Sequence, residues 1–311
     1  MVELKQNVEL KNYTNTKTGG VVENMYYPTT LEELIHVVND ITESGRKFEV
    51  LGDMTNVAIA SGQLNFDVIN MSKYGVEDPV MENDKVLRVG AGYKMKDLTR
   101  WAYRNRIAGL AWMEGIPGTI GAGIFMNAGF LIGQDIQTFL IDVAILNLDT
   151  MKVETLKNTE LKFRYRYSRI QDINAVILGG RFLVTKIDDT LKGNLRQFKQ
   201  KLLIDKYHKR RERNQPLELP SAGTVFVPPT PWHVGGMLRE MNMLGFSIGG
   251  AQISEKSPGF IVGKNNMTGE NYRDLVFEIR NKIKEQYDLN LEPEVRLLGF
   301  DNDTKIGNEK A

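Results

Sequence analysis

Cysteine is absent from the 311-residue sequence, and histidine occurs only three times. Without cysteine the chain can form no disulfide, no thiolate metal site and no cysteine nucleophile, so we expect a reducing compartment. The three histidines, His36, His208 and His233, are far apart and none belongs to an HExxH-like pattern. Because zinc sites need clustered ligands, no metal site is predicted.

Long apolar runs and a large net charge are also missing. No apolar run reaches the length that spans a bilayer, and residues 1–5 are too polar for a signal peptide. The net charge of +1 gives neither an acidic tail nor a broad basic surface. The sequence therefore predicts a cytoplasmic protein that binds neither nucleic acid nor membrane, and a monomer is the expected state. Its length suits two or three domains.

Glycine is concentrated in residues 115–129, which contain five glycines and a proline, and a second turn follows Leu51 at residues 52–56. Glycine lets the backbone approach a ligand closely, and backbone N–H groups bared in such turns bind anions. The spacing is wrong for a dinucleotide-binding fingerprint, and no P-loop sequence occurs. From these residues alone, two interpretations stay open. The loops are either ordinary tight turns or a phosphate site, in which the side chains of Asn56 and Asn127 would be candidate hydrogen-bond donors.

Apolar periodicity and capping residues predict helices and strands in an irregular order. Thr30 and Glu33 form a predicted capping box, and Thr268 is a predicted N-cap. The predicted helices cover residues 29–45, 94–105, 193–213, 234–242 and 269–287. The predicted strands cover residues 48–51, 66–71, 86–89, 139–148, 175–187 and 294–299. Because strands and helices do not alternate regularly, the class is β-rich α+β, with a domain boundary near residue 190.

The helix predicted at 193–213 is polar and basic. One interpretation is a solvated helix that connects two domains. The other is that its last turn, near Arg211 and Arg213, offers cations to a ligand that carries phosphate.

Seven segments, in order, resemble one enzyme family over about residues 12–300. The sequence GIPGTIGAGIFMNAG at 115–129 is similar to the signature of the UDP-N-acetylenolpyruvoylglucosamine reductase (UDP-N-acetylmuramate dehydrogenase, MurB) family, in its shorter, type II form. The other segments that carry the resemblance are TNTKTGG at 14–20, GDMTN at 52–56, YRYS at 165–168, QPL with PSAGTVF at 215–226, GGAQISEK at 249–256 and EPEVRLLG at 292–299.

The resemblance implies a fold, a reaction and two cofactors. The fold would be an FAD-binding fold of the vanillyl-alcohol-oxidase type over residues 1–190, with subdomains of about 1–75 and 76–190. A C-terminal α/β substrate-binding domain would follow at 191–311. The family uses NADPH to reduce FAD and converts UDP-N-acetylglucosamine-enolpyruvate, a UDP-sugar, to UDP-N-acetylmuramate for peptidoglycan synthesis.

The resemblance also implies roles for individual residues. Arg166 and Glu294 match the family's arginine and glutamate that act at the developing enolate, where fixed donors are needed. From sequence, Arg166 is also readable as a surface arginine, and Glu294 as a salt-bridge partner of Arg296. Thr224 stands where the family has the serine that protonates carbon, and its hydroxyl can do the same chemistry.

The remaining implied site residues bind cofactor or substrate. The cofactor set is Gly52, Asp53, Met54, Thr55, Asn56, Gly115, Pro117, Gly118, Thr119, Gly121, Asn127, Ala128 and Gly129. The substrate set is Arg213, Gln215, Ser221 and Gln252.

Several positions depart from the family pattern. Val227, Ser257 and Gly263 replace polar residues that are usual there, and Asp53 introduces a negative charge beside a predicted diphosphate. The methyl group of Thr224 takes space in a tight site. These departures leave two alternatives open: a diverged flavoprotein paralogue that acts on another sugar or enol ether, and a non-catalytic flavin-binding protein.

Overall fold

The computed structural model describes residues 1–131 and 133–300. The helices are α1 (Leu31–Glu43), α2 (Met95–Arg104), α3 (Ile120–Phe125), α4 (Ile136–Phe139), α5 (Leu191–Asn214), α6 (Val234–Glu240) and α7 (Gly269–Tyr287). The strands are β1 (Glu3–Glu9), β2 (Val21–Tyr27), β3 (Phe48–Leu51), β4 (Val57–Ile59), β5 (Asp67–Asn70), β6 (Val80–Asn83), β7 (Val86–Gly90), β8 (Ile107–Ala108), β9 (Gly129–Leu131), β10 (Gln134–Asp135), β11 (Leu140–Asn147), β12 (Lys152–Lys157), β13 (Ala175–Leu183), β14 (Thr185–Lys186), β15 (Ser221–Thr224), β16 (Ser247–Ile248), β17 (Ala251–Ile253), β18 (Phe260–Gly263) and β19 (Arg296–Leu298). This mixture confirms the predicted α+β class.

Contacts divide the chain into two compact units. The first unit comprises residues 1–4, 25–53 and 68–211, and the second comprises residues 5–24, 54–67 and those from 212 onward. This division differs from the predicted domain limits, because residues 191–211 lie in the first unit. The assignment of cofactor and substrate to residues 1–190 and 191–311 stays a prediction.

The first unit is built on an antiparallel sheet with the strand order β12-β11-β13-β7-β6. Its larger core includes Leu87, Ile124 and Phe182, all fully buried. The unit contains a second cluster of buried residues, which includes Leu34 and Ile41 of α1. In this unit β2 and β5 pair in parallel through Met25–Val68 and Tyr26–Ile69.

The second unit contains an antiparallel sheet with the order β15-β18-β17-β16 and the parallel pair β4–β19. Helix α7 buries Tyr272, Leu275 and Ile279 in the core of this unit. The predicted N-cap is confirmed, because the side chain of Thr268 accepts a hydrogen bond from Asn271 N. Helix α7 begins and ends at the predicted residues, 269 and 287.

The capping box predicted for α1 is half right. Thr30 Oγ1 accepts from Glu33 N at 3.3 Å, as expected. The Glu33 carboxylate, however, accepts from the backbone N and hydroxyl of Thr29, both at 2.9 Å. These hydrogen bonds lower the pKa of Glu33.

Among the described residues, no helix is both long enough and apolar enough to cross a membrane.

Candidate active site

The glycine-rich loop of the first unit enters α3 through a tight, backbone-bonded turn. Gly115 and Gly118 have φ angles of 71° and 101°, which favour glycine. Thr119 is the N-cap of α3, and its hydroxyl accepts from Ala122 N at 3.4 Å. Gly121 N donates to Ala91 O at 2.8 Å, so this amide is already committed within the protein.

Residues 52 and 53 of the second predicted cofactor turn lie beside the glycine-rich loop within the first unit. A β-carbon at Gly52 would lie 2.6 Å from the hydroxyl oxygen of Thr119, so a larger residue would collide there. The next residue, Asp53, forms an ion pair with Lys94 at 3.6 Å. Lys94 therefore compensates the charge that the sequence left unexplained. No sequence signal indicates this pairing, because it depends on the tertiary fold.

A cation lies beside the same loop. A β-carbon at Gly115 would be 2.8 Å from Cδ and Nε of Arg211, which is half-buried near the end of α5. Burial lowers the pKa of Arg211 to about 10, while the charge of Glu114 acts in the opposite direction. Arg211 is thus charged at neutral pH. From the sequence, Arg211 and Arg213 are candidate cations for a phosphate. Arg211 contacts the loop, whereas Arg213 is exposed and its Nε lies 3.3 Å from Asn214 Oδ1.

The carboxylate of Glu114 is buried in this region. Its Oε1 lies 3.4 Å from Nδ1 of His208, and its Oε2 has no hydrogen-bond partner among the described residues. A buried polar atom without a partner costs free energy unless a bound group satisfies it.

Arg166 is held by the end of the glycine-rich run. Its guanidinium donates to the carbonyls of Asn127 and Gly129 at 3.3 and 3.0 Å. In return, Asn127 Nδ2 donates to Arg164 O at 2.9 Å, and Asn127 Oδ1 accepts from Gln137 N at 3.0 Å. Arg166 is thus hydrogen-bonded to predicted cofactor residues. The side-chain amide of Asn127 makes its hydrogen bonds within the protein.

The YRYS segment is fixed to the end of α3 as well. Ser168 Oγ and Gln171 Nε2 both donate to Phe125 O at 2.8 Å. Arg166 has a φ of 53°, a left-handed conformation that is strained for an arginine. The surrounding hydrogen bonds therefore hold a conformation that the isolated segment would disfavour.

In the second unit, Asn56 is joined to the PSAGT turn. Its Nδ2 donates to Ala222 O at 2.9 Å, whereas its Oδ1 is buried without a hydrogen-bond partner among the described residues. Met54 has a φ of 51° and a buried side chain. Glycine is the residue that such a φ favours, so the backbone of Met54 is strained. The burial of its apolar side chain offsets this cost.

Thr224 and Glu294 lie on neighbouring backbone positions of the second unit. Glu294 N donates to Val225 O at 2.7 Å, and Thr224 is the last residue of β15. Glu294 is buried, with 9% of its surface exposed. One backbone hydrogen bond therefore joins Glu294 to the residue that follows Thr224.

The additional methyl group of Thr224 is accommodated by a glycine. A β-carbon at Gly259 would be 3.8 Å from Thr224 Cγ2, an ordinary van der Waals distance. Val225 N also donates to Gly259 O at 2.9 Å. Steric crowding by the methyl group, which the sequence suggested, is thus absent on the Gly259 side.

The predicted substrate residues have different environments. The side chain of Gln252 donates to Gly245 O at 3.1 Å and to Ser247 Oγ at 3.2 Å, which fixes a local hairpin. Gln215 Oε1 is buried with no hydrogen-bond partner among the described residues, and Ser221 lies in β15 opposite Val262. Their roles toward a substrate stay predictions.

A cavity of about 610 Å³ lies in the first unit, on the five-stranded sheet. Its lining includes Tyr74, Arg88, Asp142 and Arg181, and none of the predicted site residues contributes to it. Arg181 is paired with Asp142 through bidentate contacts. The predicted cofactor residues therefore lie outside the lining of this cavity.

The first-unit residues fit the diphosphate of a flavin nucleotide. Glycine stands where a side chain would collide at Gly52 and Gly115, and the half-buried cation Arg211 contacts Gly115. The negative charge of Asp53 is offset by Lys94. Bare backbone and a desolvated guanidinium are the groups that bind phosphate oxygens.

Comparison with known proteins agrees with this fit. A family model described as FAD binding domain matches residues 23–139. A second, described as UDP-N-acetylenolpyruvoylglucosamine reductase, C-terminal domain, matches residues 215–298.

Similar proteins extend over nearly the whole chain. A Limosilactobacillus reuteri protein named UDP-N-acetylenolpyruvoylglucosamine reductase is 33% identical over 300 residues, which are 96% of this chain and 96% of that protein. A protein of the same name from Enterococcus faecalis is 35% identical over 290 residues, 93% of this chain and 92% of that protein.

The fold matches a solved structure. The crystal structure of UDP-N-acetylenolpyruvylglucosamine reductase (MurB) from Thermus caldophilus superposes with a TM-score of 0.76 at 23% identity, covering 96% of this chain and 99% of that one. The predicted flavin-binding fold is thereby confirmed. Sequence identity above 30% over almost the full length, together with the two matching domains, shows that the chain belongs to the UDP-N-acetylenolpyruvoylglucosamine reductase family.

Proposed function

We propose that this chain is the FAD-dependent reductase that converts UDP-N-acetylglucosamine-enolpyruvate to UDP-N-acetylmuramate with NADPH, a step in peptidoglycan precursor synthesis. The observation that supports the proposal is the 2.7 Å hydrogen bond from Glu294 N to Val225 O, because it joins the backbone of Glu294, a buried residue, to the residue that follows Thr224. We further propose that it acts on the UDP-sugar as a cytoplasmic monomer.

The cofactor would be held mainly by the two glycine turns and Arg211. Gly52, Gly115, Gly118 and Thr119 supply backbone that can approach a diphosphate, and Arg211 supplies a positive charge. When bound, FAD would supply to the substrate a hydride taken from NADPH. The pairing of Asp53 with Lys94 keeps an unpaired negative charge away from these turns.

Three side chains would carry the chemistry at the substrate. Addition of hydride to one alkene carbon leaves negative charge on the adjacent carbon and its carboxylate. Arg166 would stabilise this charge, because a guanidinium keeps its proton and binds a carboxylate with two hydrogen bonds. The Thr224 hydroxyl would donate the proton to the adjacent carbon, and Glu294 would act beside it.

The proposal is tested by following the flavin absorbance of the purified protein in two anaerobic stopped-flow experiments. NADPH should bleach the oxidised flavin, and UDP-N-acetylglucosamine-enolpyruvate should restore its absorbance. Flavin that NADPH reduces but this substrate does not reoxidise would refute the assignment and favour a diverged paralogue. The apolar Val227, at a position that is usually polar or cationic, is the residue that motivates that alternative. Failure to bind flavin would overturn both.

A further inference from the structure

Helix α5 is attached to the first unit by a polar inner face. Gln197 donates to Tyr103 O and Gln200 to Ile107 O, both at 2.7 Å. Two turns further, Tyr207 OH accepts from Gln134 Nε2 at 2.9 Å. These residues recur at intervals of three, seven and ten positions, so they share one side of the helix. The rotation of α5 about its axis is thereby fixed.

The opposite side of α5 is apolar and exposed. Leu191, Leu195, Phe198 and Leu202 follow one another at steps of four, three and four residues, which is one straight row on a helix. Their exposed fractions are 87, 53, 57 and 51%. This outer row is about 16 Å long at the rise of a helix. Over residues 191–202 the apolar side chains therefore lie outside, whereas Tyr207, further along the helix, is buried in the core of the first unit.

Basic residues flank the outer row. Helix α5 contains nine lysine and arginine residues against two acidic ones, although the whole chain has a net charge of only +1. Lys192, Arg196 and Lys199 alternate with the apolar residues, and all three are exposed. Their apolar stems can lie along a hydrocarbon surface while their charged ends stay in water.

The basic residues beside the outer row indicate which kind of partner binds there. Two copies of α5 that faced each other would bring Lys192, Arg196 and Lys199 of one copy near the same residues of the other, so a second copy of the chain is disfavoured. An anionic bilayer surface offers negative headgroups to the basic residues and an acyl boundary to the leucines and phenylalanine. The expectation that no membrane is bound rested on the length of apolar runs, which governs crossing of a bilayer and not binding to its surface.

We propose that the outer row of α5 and its flanking basic residues bind the surface of an anionic phospholipid bilayer, with the helix axis parallel to the membrane. This surface site is independent of the reaction proposed above, because it uses none of the residues assigned to catalysis or to cofactor binding.

The test is flotation of the full chain with vesicles. The chain should float with phosphatidylglycerol–phosphatidylcholine vesicles at low salt, and much less with phosphatidylcholine alone. The double variant Leu195→Gln/Phe198→Gln should bind on the order of tenfold more weakly. The triple variant Lys192→Gln/Arg196→Gln/Lys199→Gln should bind weakly and lose the salt dependence of binding.

A matched control is Leu4→Gln, a change of the same kind at a leucine of β1 that is 43% exposed. It should float like the unchanged protein, and far-UV circular dichroism should show that all variants keep their helix content.

Two results would overturn the proposal. One is equal flotation of the unchanged protein and the Leu195→Gln/Phe198→Gln variant, or no flotation of either. Either result would show that the outer row binds no bilayer and instead contacts an acidic protein partner or solvent. The other is a dimer in sedimentation equilibrium that this double variant dissociates, which would assign the row to a second copy.

Discussion

Asn56 and Ala222, 166 positions apart in the sequence, are joined by a hydrogen bond of 2.9 Å from the side-chain amide to the backbone carbonyl. Asn56 belongs to the GDMTN turn, and Ala222 to the PSAGT turn two residues before Thr224. In addition, Arg296 N donates to Asn56 O at 3.1 Å. One asparagine therefore links β15, which ends in the predicted proton donor Thr224, to β19.

Removal of this amide should destabilise the second unit. We expect Asn56→Ala to lower the free energy of unfolding by about 1–3 kcal/mol, because the carbonyl of Ala222 loses its donor in a buried setting. Asn56→Asp should cost more, since it replaces the donor by a carboxylate that faces a carbonyl oxygen. Urea unfolding measures both changes, and an unchanged midpoint for Asn56→Asp would show that the bond contributes nothing.

The pair of Asp53 and Lys94 should affect flavin affinity more than stability. Both side chains are partly exposed, so the pair itself contributes at most about 1 kcal/mol to folding. Lys94→Met should weaken FAD binding several-fold, because it leaves the Asp53 carboxylate uncompensated beside the cofactor turns. The double variant Asp53→Asn/Lys94→Met should recover most of the loss. Fluorescence titration of the apoprotein with FAD measures the affinities, and additive effects would contradict the coupling.

The role of Thr224 is separable from its shape. Thr224→Val keeps the branched side chain opposite Gly259 and removes only the hydroxyl. We expect reoxidation of reduced flavin by the substrate to slow by about 10²–10⁴-fold, with flavin reduction by NADPH nearly unchanged. Thr224→Ser should retain or raise activity. Equal slowing of both half-reactions in Thr224→Val would instead indicate a structural residue.

Tyr272 predicts a stability change at alkaline pH. Its hydroxyl is buried and has no hydrogen-bond partner among the described residues, and burial followed by the charge of Glu294 raises its pKa well above 10.0. The unfolded chain therefore loses the tyrosine proton first, and folded stability falls as the pH rises above about 10. Tyr272→Phe should remove this contribution. It should also leave stability at pH 7 unchanged or raise it by about 1 kcal/mol. Urea unfolding at several pH values measures both effects.

Local signals predicted much of the secondary structure. Helix α7 has a strong N-cap and a regular apolar face, and its limits were predicted correctly. The predicted partner of the Glu33 carboxylate was wrong by one residue: the carboxylate accepts from the backbone N and the hydroxyl of Thr29. The spacing of residues in a capping box does not show which of two adjacent residues will bond the glutamate. That choice depends on the local backbone geometry.

Long-range pairs could not be predicted. The sequence marked Asp53 as a departure, but the compensating Lys94 is 41 positions away and belongs to no motif. It marked the methyl group of Thr224 as a steric problem, and the space opposite Gly259 becomes visible only in the β15–β18 pair. The resemblance suggests site residues that lie far apart in the sequence because it carries such tertiary information indirectly.

The parallel pairing of β4 with β19 has a consequence for synthesis of the protein. Residues 57–59 align with residues 296–298, and Ala60 N donates to Leu298 O at 2.9 Å. An emerging chain therefore has an unpaired edge at β4 until about 240 further residues have left the ribosome. The nascent protein must keep this apolar strand from associating with neighbours during most of its translation, and a chain cut short before β19 would never cover it.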